Sequence, residues 1–97
     1  MTARQRRITA AELRKILEEQ NFCCALTGMQ LEPSTVGFDH ITSIADGGEH
    51  AAVNIQAVDR VINRMKNTMS NHDFISCCQM VADHSRREKK KKQRRKK

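Results

Sequence analysis

The stretch 38–66, FDHITSIADGGEHAAVNIQAVDRVINRMK, constrains this chain more than any other. Asp46-Gly47-Gly48 lies between two short β-prone runs, and paired glycines supply the positive φ angles that a tight reversal needs. The run before it, 36–41, alternates. Val36, Phe38 and His40 fall on one side of a strand, and Gly37, Asp39 and Ile41 on the other. The run after it, 55–58, reads as a second short strand antiparallel to the first. Asp59 then offers an N-cap for a helix reaching about residue 68, with Val61, Ile62 and Met65 as its apolar face. The order is strand, loop, strand, helix.

Two further helices flank that unit. Thr9-Ala10-Ala11-Glu12 is a capping box. Ala10, Leu13, Ile16 and Leu17 follow on one helical face, and Asn21 ends the helix. The apolar run 22–26 suits a short strand or an extended loop, with turns at Thr27-Gly28 and Pro33-Ser34. Ser70-Asn71-His72-Asp73 opens a last helix whose apolar face is Phe74, Cys77, Cys78 and Val81. That helix fades into basic sequence after about His84. With 97 residues there is room for one domain with a small core. The expected fold class is α+β, organised as a basic arm 1–8, a folded unit 9–85 and a basic tail 86–97.

Charge narrows the partners. The formal net charge is +7, and much of it sits in RREKKKKQRRKK at 86–97. Such a run attracts a polyphosphate chain by releasing its condensed counterions, whatever the base sequence. No apolar run follows the basic start MTARQRRITA, and no segment is long enough to span a membrane, so an intracellular soluble protein is expected. The four cysteines form two adjacent pairs, Cys23-Cys24 and Cys77-Cys78. Neighbouring residues diverge on a strand and on a helix, so no pair chelates easily and no structural zinc is expected. One cysteine of each pair is expected to pack as a small apolar residue. Thr35, Thr42 and Ser43 lack a base and an orienting acid, and no GxxxxGK[ST] loop occurs, so covalent catalysis and an ATP-driven step have no support.

What remains is a carboxylate (Asp39), an imidazole (His40) and the amides of Asn54 and Asn63. Imidazole is the natural general base near neutral pH. A hard divalent ion keeps several waters, so one carboxylate and one amide oxygen are enough protein to hold it. Asn63 and Lys66, three apart on a helix, reach the same region. Asp39 and His40 alternate on a strand and point apart unless it twists or bulges there, and the sequence leaves that open. His72 and His84 read as surface positions, and His50, in the loop between Asp39-His40 and Asn54, reads as a surface loop histidine with approach to the site as the alternative.

Taken in order, Asp39-His40-Ile41, Gly47-Gly48, Asn54-Ile55-Gln56 and Asn63-Arg64-Met65-Lys66 resemble the motif of the HNH endonucleases, of the ββα-metal (His-Me finger) type. The resemblance spans about residues 22–70 and is strongest to small stand-alone phage and homing-type members. It implies that His40 deprotonates water, that Asp39 and Asn63 hold Mg²⁺ or Mn²⁺, and that Asn54 holds the strands and His40 in place. It implies that Lys66 touches the scissile phosphate or the leaving oxygen. Arg60 and Arg64 join Lys66 as candidate phosphate contacts by charge and position. Asn63 stands where many relatives have His, and the zinc-clamping cysteine pairs of many relatives are absent. The resulting expectation is a metal-dependent endonuclease on double-stranded DNA, with mainly phosphate contacts and low sequence specificity or nicking. It would work in the cytoplasm of a bacterial host, as a possible homodimer or beside a larger DNA-processing partner. The alternatives are a non-catalytic nucleic-acid-binding module and an accessory subunit.

Overall fold

The computed structural model describes residues 7–95. The element order is α1 (Ala10–Glu19), β1 (Val36–His40), β2 (Ile55–Asp59), α2 (Arg60–Lys66) and α3 (Asn71–Arg95). Two 3₁₀ turns, Ile44–Asp46 and Ala52–Asn54, punctuate the loop between the strands. The fold is α+β: β1, β2 and α2 follow one another in the chain, with a helix on either side.

The capping box at the start of α1 closes in both directions. The Glu12 amide donates to Thr9 Oγ1 at 3.1 Å, and the Thr9 amide donates to Glu12 Oε1 at 3.2 Å. Asn21 and Phe22 take positive φ angles of 54° and 58°, so the chain turns out of the helix there. Gln20 does more than end α1. Its side-chain amide donates to Ala57 O at 2.9 Å and accepts from the Ala57 amide at 3.0 Å, covering the outer edge of β2 where a third strand would lie. The segment 22–31 contributes a single bridge, Cys23 to Gln30, so it is an extended loop.

β1 and β2 pair antiparallel, from Val36 opposite Asp59 to His40 opposite Ile55. The alternation read from 36–41 holds. Phe38 and Val36 lean on the core formed by Ile16, Cys24, Leu31, Ile55, Ala57 and Val58, while Gly37 and Asp39 turn toward α2. Cys24 is buried, as expected of one cysteine in that pair.

Three expectations are corrected. Val61 and Met65, read as the apolar face of α2, are each 61% exposed, and Lys66 is the buried residue of that helix. The reason is that α2 meets the sheet through Asn63 and Lys66, which puts Val61 and Met65 on the far side. In α3 only Phe74 is buried, while Cys77, Cys78 and Val81 are exposed, and Cys78 borders an open recess with Leu26, Ile62 and Met65 rather than a closed core. And α3 does not fade near His84 but continues to Arg95. No Gly or Pro occurs beyond residue 71, the residues are good helix formers, and Asp83–Arg86 and Glu88–Lys91 pair three apart. The sequence-defined tail 86–97 is therefore helix as far as Arg95. Residues 1–6 of the basic arm and 96–97 of the tail lie outside the described residues. Among the described residues, no helix is long and apolar enough to cross a membrane.

α3 is fastened by its start. The Asn71 amide donates to Ile41 O at 2.9 Å, and the Asn71 and Gln56 side chains exchange bonds of 2.6 and 2.9 Å. Removing residues 84–97 is accordingly expected to shift unfolding stability by no more than about 1 kcal/mol, as exposed positions usually do. The far-UV helical signal should fall at the same time. Parallel urea titrations followed by circular dichroism check both, and loss of cooperative unfolding would show that the distal helix supports the body.

Candidate active site

The end of β1 brings Asp39 and His40 to the border of one recess, and Lys66 organises it. Its Nζ donates to Asp39 Oδ2 at 2.6 Å and to the His40 carbonyl at 2.8 Å. The Lys66 side chain is 0% exposed and that of Asp39 12%. A buried ammonium persists only when paired and hydrogen-bonded, and both partners here come from adjacent residues of one strand. Lys66, which the resemblance implies touches the scissile phosphate or the leaving oxygen, has no exposed surface in this structure and clamps α2 to the end of β1. Sequence reasoning places a lysine at the surface by default, and nothing local marks this one as buried.

Asn63 lies one turn earlier on the same helix. Its Nδ2 would be 3.2 Å from a Cβ added at Gly37, so the glycine gives the amide room against the strand. Gly37 and Asp39 share a strand face, which puts Asn63 and Asp39 on the same side of β1. They line neighbouring recesses. Asp39 and His40 border one of about 200 Å³ with Ser43, Ile44 and Lys66. Asn63 borders another of about 420 Å³ with Gly37, Arg60 and Arg64, and Asn67 reaches both. Arg60 and Arg64 are exposed there, and Arg60 Nη1 donates to Ser34 O at 3.3 Å.

The loop between the strands is held by Asn54. Asn54 Oδ1 accepts from the Thr42 amide at 2.9 Å, and Nδ2 donates to Thr42 O at 2.9 Å and to Glu49 O at 2.8 Å. The loop closes so tightly that a Cβ on Gly48 would lie 2.0 Å from Thr42 O. A second knot secures the first 3₁₀ turn. The Ser43 amide donates to Ser70 Oγ at 2.9 Å, and Ser70 Oγ donates to Asp46 Oδ2 at 2.5 Å. The Ser70 hydroxyl thus serves the loop rather than the start of α3. Hydrogen bonds from Ser70 and then Ser43 hold the Asp46 carboxyl below its ordinary value.

The open question about Asp39 and His40 resolves simply. They point to opposite faces, yet both border the first recess because the strand ends there. His40 Nε2 lies 3.0 Å from Nδ1 of His50, with the rings tilted by 50°. His50 is exposed, as expected of a loop histidine, but it belongs to the site. Only the closure of the loop brings it there, and that closure is a tertiary event.

Donor chemistry fits a hard divalent ion. Oδ1 of Asp39 takes no hydrogen bond among the described residues and is not sealed from solvent. Among the described residues no three His, Cys, Asp or Glu converge on one point; an ion in the first recess would meet the Asp39 carboxylate and water, while the Asn63 amide borders the neighbouring recess. A scan against models of known protein families and a search of curated proteins both return no match.

Lys66→Met is expected to destabilise the fold by about 3 kcal/mol, because it leaves the partly buried Asp39 carboxylate without its cation. Adding Asp39→Asn should recover part of that loss in denaturant titrations, and a purely additive double variant would contradict the pairing. The lowered Asp46 value fixes a pH direction. Its contribution to stability is full above the ordinary carboxyl value of 3.8 and is lost as pH falls through the lower folded value. Amide exchange at Ser43 and Asp46 should therefore quicken in that acid range, and Asp46→Asn should remove the dependence.

Proposed function

We propose that this chain is an HNH-type endonuclease that hydrolyses DNA phosphodiester bonds, with His40 as the general base. The observation that carries this reading is the end of β1, where a half-exposed imidazole and a carboxylate with one solvent-facing oxygen share a recess beside two exposed arginines. An imidazole at the mouth of a recess can take a proton from a water lined up on a phosphorus. Asp39, with the Asn63 amide, would hold Mg²⁺ or Mn²⁺. Such an ion, when bound, supplies positive charge against the phosphate and the leaving oxygen. Lys66 keeps the Asp39 carboxylate fixed from behind. Arg60 and Arg64 would receive neighbouring phosphates, and the basic distal half of α3 would lie along the duplex. Contacts of this kind position a duplex without reading bases, which supports low specificity. A single site cuts one strand, so nicking is the primary event and a double-strand break requires two copies.

One observation favours a second reading. Asp39 is already neutralised by Lys66, as suits a nucleic-acid-binding module that never takes up a metal. Plasmid nicking separates the two. Wild type should relax supercoiled DNA with Mg²⁺ or Mn²⁺ and not with EDTA, and His40→Ala should lose at least about a hundredfold in rate. Salt-sensitive DNA binding by both proteins with cleavage by neither would replace the nuclease by the binding module.

A further inference from the structure

We infer that His50 is a positioning residue that fixes the tautomer of His40, an inference that rests on the reading of His40 as a base. Two nitrogens 3.0 Å apart can share only one proton in a neutral pair. Either His40 Nε2–H donates to His50 Nδ1, or the reverse. In the reverse arrangement His40 uses its Nε2 lone pair to accept and carries its proton on Nδ1, and no nitrogen is left to take one from water. In the forward arrangement Nδ1 of His40 is bare. It has no hydrogen-bond partner among the described residues, so its lone pair stays available. Only the forward pair yields a base. His50 must then hold its own proton on Nε2 and offer Nδ1 as the acceptor. The orienting acceptor is an imidazole from the loop, where a carboxylate or a carbonyl would be the usual choice.

The loop is built to present that nitrogen. Asn54 Nδ2 holds the carbonyl of Glu49, the residue immediately before His50, at 2.8 Å, and Gly48 sits against Thr42, two residues beyond His40. Asn54 thereby acts on His40 through His50 as well as through the strand ends. The rings are tilted, with centroids 5.2 Å apart, as suits an in-plane N–H···N bond rather than stacking.

The test uses the full chain labelled with ¹⁵N-histidine, under conditions where the ¹⁵N shifts themselves report two neutral rings. Long-range ¹H–¹⁵N spectra should show the proton on His40 Nε2, with scalar coupling across the hydrogen bond to His50 Nδ1. His50→Ala should abolish the coupling and lower kcat for nicking by about 10–100-fold with little change in KM. His50→Asn, whose amide oxygen can accept near the place of Nδ1, should restore part of the rate. A proton on His50 Nδ1, an absent coupling, or unchanged turnover in His50→Ala overturns the inference. If wild type cuts no DNA while the coupled pair is present, the nuclease reading fails and the assignment of the tautomer stands.

Discussion

Lys66 carries its charge to a place that water does not reach, and the arrangement of the site follows from how that charge is satisfied. An exposed lysine–carboxylate pair is worth at most about 1 kcal/mol, but a buried ammonium that loses its partner costs several times as much. The Asp39 carboxylate and the His40 carbonyl are therefore both needed, and they fix where α2 ends relative to β1. That single cation sets the aim of one carboxylate oxygen, the direction of the strand's last carbonyl and the approach of Asn63 to Gly37. α2 is only seven residues long and exposes Val61 and Met65, so apolar burial could not orient it alone.

The loop opposite is determined by polar contacts in the same way. Asn54 spends both amide protons and its oxygen on the Thr42 and Glu49 backbone. Ser43, Asp46 and Ser70 close a second circuit that reaches across to the start of α3. In a chain with so small a core, hydrogen bonds to the backbone take over the placing of side chains that packing performs in larger proteins.

What could be read from the sequence was what depends on neighbours in the chain. The capping box at Thr9 and Glu12, the Asp59 cap and the alternation of 36–41 are local rules, and the structure follows them. The strand–loop–strand–helix order was legible for the same reason. The rest required the third dimension. No periodicity marks Lys66 as a core residue, Gln20 as the substitute for a third strand or His50 as the partner of His40. The end of α3 is hidden for a different reason: a run of lysines and arginines reads as a solvated tail, although its helix propensity is high and nothing in it breaks a helix.

That helix gives the molecule a shape with an electrical direction. The molecule extends 67 × 32 × 18 Å, and every residue from Arg86 to Arg95 except Glu88 and Gln93 is Lys or Arg. Charge gathered at one end of a long body experiences a torque in the field of a polyanion, not only an attraction. In such a field the molecule would turn before contact, with the distal half of α3 leading and the recess at the end of β1 behind it. Raising the salt concentration shortens the distance over which that alignment acts, and encounters then begin from random orientations.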